Sequence, residues 1–374
     1  MSDRSKKILE GFATRAGIEV NGKNPWDIQI KDERFYNRVL RDGSLGFGEA
    51  YMDGWWECDQ IDELLYRILK ADLDLTISKN FVDFMVLASN VLINKAKPSR
   101  AFHVGQQHYD AGNTLYEKML DKRMVYTCAY WKDAQTLDQA QENKLDLVAR
   151  KLQLKPGDRV LDIGCGWGSF LIYAAEKYGI KGVGITVSKE QLELARKRTG
   201  NLPIEYRLQD YREVNDPEKF DKIVSLGMFE HVGYKNYDSF MDVAHRNLKD
   251  DGLFLLHSFG NSKSVHYSDP WFEKYIFPNS MIPSMTQIGR AVEERFVFED
   301  VHNIGYNYYP TLMAWFKNFD ASWPEIKADY DDRFYRMWKY YLLSAAGMFK
   351  ARRSQIFQFV FSKEGVKGGY NSVR

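Results

Sequence analysis

Three glycines at every second position, Gly164, Gly166 and Gly168, follow directly on a short apolar run that holds one acid, Asp162. The stretch reads Val160-Leu161-Asp162-Ile163-Gly164-Cys165-Gly166-Trp167-Gly168. Without a Cβ, glycine lets the backbone turn sharply and approach a ligand closely. A buried strand, a glycine turn and then a helix place that approach beyond the carboxyl end of a parallel sheet. No lysine follows the glycines, so the turn is not the phosphate loop of nucleotide hydrolases. Other polar side chains stand where later strands should end. Thr186 and Gln191 follow the second, Gln209 and Asp210 the third, and Glu230 and His231 the fourth, while His257 closes the fifth. These types can accept and donate hydrogen bonds or carry protons at one sheet edge. Ser188 reads equally as a helix cap.

The elements that must position these groups are legible from periodicity. Strands are predicted at Arg159–Ile163, Gly182–Thr186, Ile204–Leu208, Lys222–Ser225 and Leu253–Ser258. Helices are predicted near Ser169–Lys177, Lys189–Arg198 and Tyr237–Leu248. Alternation of this kind implies an α/β fold with a parallel sheet covered on both faces. Two late strands, Phe296–Asn303 and Gln355–Ser362, flank a helical stretch around Asp331–Arg352. Residues 1–95 read as a smaller, mainly helical domain with turns at Asn21–Pro25 and Arg41–Ser44. A polar linker, Lys95–Arg100, separates it from a larger domain over 101–374.

Composition narrows the class. At 374 residues the chain can bury a large core and divide into two domains. A net charge of +1 argues against nucleic-acid binding, which needs a basic excess. Aromatic residues make up 15% of the chain, which suits a large apolar substrate as well as core filling. Cys58, Cys128 and Cys165 are too scattered for a disulfide framework or a zinc site, and no metal is expected. The first residues lack the apolar core of a signal peptide. No run reaches the ~20 apolar residues that span a bilayer. A cytoplasmic protein is expected, free to touch a membrane surface.

The order acid, apolar, Gly, x, Gly, x, Gly resembles motif I of S-adenosylmethionine-dependent methyltransferases. The resemblance tightens along the chain. Ser44–Trp56, Tyr126-Thr127-Cys128-Ala129-Tyr130-Trp131, Gly164–Gly168, Gly227–Gly233, Leu256-His257 and Tyr308–Trp315 resemble, in order, blocks of the cyclopropane and mycolic acid synthase family. The match runs over essentially the whole chain, and its N-terminal domain sets it nearer the phospholipid-acting members. The resemblance implies a seven-stranded Rossmann-like sheet, mostly parallel, with its last strand antiparallel and a final antiparallel pair at the sheet edge.

It also implies a reaction. A methyl cation passes from S-adenosyl-L-methionine to the cis double bond of an unsaturated acyl chain in a membrane phospholipid. Positive charge develops on carbon, and loss of a proton from the added methyl closes a cyclopropane ring. The base implied by the family is a bound bicarbonate ion. Carried over residue by residue, the catalytic set is Cys128, Glu230, His257 and Tyr308, with the backbone at Phe259. Glu230 beside an anion is plausible if it orients His257 or shares a proton, since burial raises a carboxyl pKa. Cys128 reads as a weak donor rather than a nucleophile, and His231 as structural. The cofactor set is Tyr126, Thr127 (often Ser in the family), Asp162, Gly164, Gly166, Gly168, Thr186, Gln191, Gln209 and Asp210. The block His108–Asn113 resembles the segment that closes over the cofactor.

Access to lipid is a further expectation. Phe81–Ile93, flanked by Lys79, Lys95 and Lys97, reads either as an interfacial helix or as a core helix. Trp55 and Trp56 fit core or interface. Phe334, Trp338, Tyr341, Leu342, Ala345 and Phe349 recur at helical spacing and fit core packing or an acyl tunnel. The resemblance implies a homodimer, peripherally associated with the inner face of the cell membrane. Two alternatives stay open: transfer that leaves an unclosed methyl branch, and a binding protein that keeps the fold without activity.

Overall fold

A computed structural model describes residues 2–73 and 112–374. The stretch Phe81–Ile93 with its flanking lysines, the Lys95–Arg100 linker and His108–Ala111 lie outside the described residues. The chain forms two compact units that interleave in sequence. Among the described residues one gathers 2–73, 266–278 and 308–354, and the other gathers 112–265, 279–307 and 355–374.

The larger unit is built on a seven-stranded sheet. Its strands are β1 (Arg159–Ile163), β2 (Lys181–Thr186), β3 (Ile204–Leu208), β4 (Phe220–Leu226), β5 (Leu248–Asn261), β6 (Val297–Asn303) and β7 (Ser354–Ser362). Their spatial order is β3-β2-β1-β4-β5-β7-β6. The first five run parallel, with Leu161 opposite Val183 and Ile223, and Leu226 opposite His257. β6 and β7 pair antiparallel, Val297 opposite Ser362. The order reverses beside β1, where chain direction carries ligands to the carboxyl edge. The predicted strands therefore stand: Arg159–Ile163 and Ile204–Leu208 keep their bounds, the late strand β6 begins at Val297 rather than Phe296, and the other four are longer than predicted.

Both faces of the central strands are buried, which is why β1, β2, β4, β5 and β7 carry apolar runs, while the outer strands β3 and β6 are largely exposed or half-buried. One face carries Leu161, Phe254, Leu256, Phe357, Phe359 and Phe361, packed under Phe240 and Met241 of the helix Tyr237–Asn247. The other carries Val160, Val224, Leu255 and Val360, packed under Leu145 and Val148 of the helix Leu137–Lys151. Local chemistry fixes where helices begin. Thr136 accepts from the Gln139 amide and Ser188 from the Gln191 amide, each satisfying a donor that a first turn leaves open. Ser284 and Gln287 cap one another reciprocally ahead of Met285–Val292.

The smaller unit is mainly helical, with one short antiparallel pair, Gln29–Ile30 against Trp56–Glu57, that periodicity did not reveal. The turn expected at Arg41–Ser44 is instead a kink at Gly43 inside the helix Arg34–Met52. Gly43 holds φ +57°, which only glycine adopts without strain, so one apolar stripe continues across the bend. Trp56 is fully buried and donates its indole N–H to the Phe47 carbonyl at 3.0 Å, so it belongs to the core. Trp55 is covered by the guanidinium groups of Arg34 and Arg38 at 4.5 and 4.7 Å. In the helix Asp332–Lys350, Trp338, Tyr341, Leu342, Ala345 and Phe349 are buried, and Phe334 stacks on Trp338. Among the described residues no helix is long and apolar enough to cross a membrane.

Phe361 sits within an aromatic ladder with Phe254, Phe296, Phe298 and Phe359. Phe361→Ala should lower unfolding free energy by about 3–5 kcal/mol in a denaturant titration. A loss under about 1 kcal/mol would mean that the antiparallel edge does not belong to the cooperative core.

Candidate active site

The glycine turn leaves β1 in a path that side chains forbid. Gly164, Gly166 and Gly168 hold φ of +84°, +53° and +78°. A Cβ on Gly164 would stand 2.6 Å from the Met228 side chain, and one on Gly168 would stand 2.1 Å from the Tyr206 hydroxyl. The amides of Gly164 and Cys165 both donate to the Ile185 carbonyl, tying the turn to β2. Arg198 donates to the carbonyls of Trp167 and Arg123, and the Ser169 hydroxyl donates to that of Arg123. The turn is thus bound to the segment 121–128 that holds Tyr126, Thr127 and Cys128.

The ends of β2 and β3 join the same edge. The Thr186 hydroxyl hydrogen-bonds Gln191 at 2.9 Å, and the Gln209 amide donates to the Thr186 carbonyl at 3.0 Å. Asp210 accepts from the Arg212 backbone and guanidinium, both at 3.0 Å. Tyr126 packs edge-on to Tyr116, which in turn contacts Trp167. Two buried oxygens here, Asp162 Oδ1 and Gln209 Oε1, have no hydrogen-bond partner among the described residues. A glycine cradle and orphaned buried acceptors are what a polar cofactor pressed against backbone requires. The residues fit such a group.

Beside this cradle lies a second cluster. Gly227 receives Thr127 against its open face and donates its amide to the His257 carbonyl at 2.9 Å. Cys128 is fully buried, its thiol turned to the Ala129 carbonyl at 3.3 Å and the Ile304 carbonyl at 4.0 Å. Burial pushes that thiol well above its ordinary range, so it stays protonated. Burial holds His257 well below the usual imidazole range, with the charges of Lys144 and Lys151 adding to the effect. Glu230 accepts at one oxygen, Oε1, from the Phe259 amide at 2.6 Å and the Ser258 hydroxyl at 3.1 Å. Its Oε2 has no partner among the described residues, and burial raises the carboxyl to about 6. His257 meets Gln358 rather than Glu230. Tyr308 opens the helix Tyr308–Ile326 of the other unit, where its ring packs on Trp315 and Phe349.

Three residues that sequence reasoning passed over complete the picture. Lys144 is fully buried and donates to the Thr127 hydroxyl at 2.8 Å, and burial lowers its ammonium to about 8. Gln141, one turn earlier, donates to the Thr127 carbonyl at 2.9 Å. Both lie on the apolar stripe of their helix with Leu145 and Val148, and a polar residue on such a stripe was the available signal. Gln358 interrupts the apolar run Ile356–Phe361 of its strand, the same signal at period two.

A mostly parallel seven-stranded sheet of this order, with a glycine turn after its first strand, defines the class of S-adenosylmethionine-dependent methyltransferases. The mycolic acid cyclopropane synthetase family model matches residues 96–359, and the chain belongs to that family. It is 50% identical over 372 residues to the cyclopropane-fatty-acyl-phospholipid synthase of Escherichia coli K12, covering 100% of this chain and 97% of the relative. It is 35% identical over 288 residues to cyclopropane mycolic acid synthase 2 of Mycobacterium leprae, covering 69% and 92%. The solved mycolic acid cyclopropane synthase CmaA1, complexed with SAH and CTAB, superposes with a TM-score of 0.65 at 31% identity, covering 70% of this chain and 98% of that one.

Two expectations test the cradle. Gly168→Ala should abolish cofactor binding measured by calorimetry, because the new Cβ meets the Tyr206 hydroxyl and the φ is unfavourable. Wild-type affinity would remove the turn from the site. Burial raises Asp162 from 3.8 to about 7, against the opposing pull of Lys144. Its folded pKa exceeds the unfolded one, so the stability linked to its proton is present below the unfolded value and lost as pH rises through about 7. Asp162→Asn should therefore raise Tm relative to the unaltered protein at about pH 8 more than at about pH 5. An equal change at both would place that carboxyl in a solvated setting.

Proposed function

We propose that the chain transfers a one-carbon unit from S-adenosylmethionine to the cis double bond of unsaturated acyl chains in membrane phospholipids, forming a cyclopropane ring. Full-length identity of 50% to the Escherichia coli enzyme supports the reading. The observation that carries it is the dry cluster at the ends of β4 and β5, where Cys128, Glu230 and His257 are all buried.

When bound, S-adenosylmethionine supplies an electrophilic methyl group and bicarbonate supplies the base. The glycine turn, Tyr126, Thr127, Asp162, Thr186, Gln191, Gln209 and Asp210 would hold the first. Cys128, Glu230 and His257 would hold the second, the Phe259 amide acting through the Glu230 carboxylate to which it donates, and Tyr308 joins that set on the resemblance alone. An alkene carries no proton that must be removed before it attacks, so the side chains need not activate it. Their tasks are to exclude water, to tolerate positive charge on carbon and to avoid capturing that charge themselves. A thiol held as S–H is a poor nucleophile and a weak donor. An imidazole held neutral is a weak base that keeps one N–H for an anion. A carboxyl that titrates near 6 carries a proton for part of the neutral range, and a nearby anion would raise it further. Glu230 can then donate from the oxygen that has no other partner.

Docking to lipid is assigned to the N-terminal region, residues 1–95. The protein is read as a cytoplasmic homodimer held peripherally at the inner face of the membrane.

The direct test is mass spectrometry of unsaturated phospholipid vesicles incubated with the protein and labelled S-adenosylmethionine. A gain of one CH2 per acyl chain, with ring protons by NMR, is expected. No gain refutes the proposal, and a gain that NMR assigns to a methyl branch replaces ring closure with the alternative. Glu230→Gln should bind cofactor within about twofold of the unaltered protein while turnover falls on the order of 100-fold. Equal loss of both would make Glu230 structural.

A further inference from the structure

We propose that Gln358 is a positioning residue that sets the tautomer of His257, so that the imidazole offers its Nε2–H to the anion site. The inference rests on the reading of His257 as an anion donor. Gln358 Nε2 stands 3.3 Å from His257 Nδ1. The two residues come from neighbouring strands, β7 and β5. Strand alternation sends Phe357, Phe359 and Phe361 to one face of the sheet and Gln358 with Val360 to the other. That second face is the one on which Leu253 and Leu255 of β5 lie, and His257 is next in their series. Gln358 and His257 are 0% and 1% exposed.

A buried amide is costly unless its hydrogen bonds are made, and an apolar side chain would fill the same space without that cost. The amide oxygen has no hydrogen-bond partner among the described residues, so the contact of its nitrogen with the imidazole is what marks the specific requirement. A neutral imidazole has one N–H donor and one bare acceptor. With the amide N–H directed at Nδ1, that nitrogen is the acceptor and the proton resides on Nε2. The reverse arrangement, with the amide oxygen facing an Nδ1–H, would turn a bare Nε2 lone pair toward an anion and repel it. A neutral donor also suits the surroundings. A glutamate at this position would stabilise the imidazolium, whereas the charges of Lys144 and Lys151 disfavour it. Gln358 fixes the ring without adding charge to the pocket.

The experiment uses the full-length, ligand-free protein labelled with nitrogen-15. The chain has 7 histidines, and the His257 signal is assigned by its disappearance in His257→Asn. Nitrogen shifts should report a bare Nδ1 and a protonated Nε2 in the unaltered protein. Gln358→Met, close in volume but without the donor, should give a mixture of tautomers. It should lower kcat about tenfold, with KM for S-adenosylmethionine unchanged within about twofold. A protonated Nδ1 in the unaltered protein, or a pure Nε2–H tautomer persisting in Gln358→Met, overturns the proposal. Should Gln358→Met fail to fold, Gln358→Asn, which shortens the amide, provides the same comparison. A tautomer that shifts in the variant with kcat unaltered upholds the hold of Gln358 on the ring and overturns the anion-donor reading of His257.

Discussion

Desolvation at one edge of the sheet is the constraint on which the rest of the site depends. Asp121, Cys128, Lys144, Asp162, Glu230 and His257 are all buried. Loss of water disfavours the charged form of each, whatever its sign. Asp162 rises to about 7, Lys144 falls to about 8, the Cys128 thiol rises and the His257 imidazole falls. One cause therefore moves acids and bases toward neutrality together. In the proposed reaction, neutral donors in surroundings of low polarity would be a poor trap for a carbocation and a fair host for one small anion. The residual attraction between Lys144 and the acids Asp121 and Asp162 works against neutrality, and it is the term that keeps the pocket from being wholly apolar.

The fold creates this setting by layering. β1, β2 and β3 deliver the glycine turn, Thr186 and Gln209 to one edge, while β4 and β5 deliver Gly227, Glu230 and His257 beside them. The helix Leu137–Lys151 lies across that face and turns Gln141 and Lys144 onto the Thr127 carbonyl and hydroxyl. The segment carrying Tyr126, Thr127 and Cys128 is thereby held from two sides, by the helix and by the Arg198 and Ser169 contacts of the glycine turn. Within the turn, glycines matter where a side chain crowds the backbone, at Gly168 under Tyr206 and at Gly164 under Met228.

Much of this was legible in sequence because the relevant signals are local. A doubly covered parallel strand reads as an apolar run, a tight turn demands glycine, and Ser188 precedes a helix it can cap. The five parallel strands, the two late strands and the helices between them follow from those rules, while the antiparallel pairing of the late strands was implied by the family resemblance. What was not legible depends on which residues meet across the fold. That Glu230 is engaged by Ser258 and Phe259, and His257 by Gln358, depends on how strands align across sequence separations of 28 and 101 for the Ser258 and Gln358 contacts. The burial of Lys144 depends on which side of a helix faces the sheet, and a lysine there reads as solvated until the packing is known. The kink at Gly43 looked like a chain reversal because Asp-Gly-Ser is a turn signal, and the apolar stripe that carries through it proved stronger.

The central claim is that the pocket's own side chains are held in forms that do not take the final proton, so that the base is a bound anion. Glu230, whose carboxyl burial raises to about 6, is the rival base. The most direct measurement is the initial rate of lipid modification in buffer stripped of carbon dioxide, followed by addition of bicarbonate. The account predicts a rate that collapses and is restored in a saturable manner. A rate that is indifferent to bicarbonate would contradict it and hand the proton to Glu230.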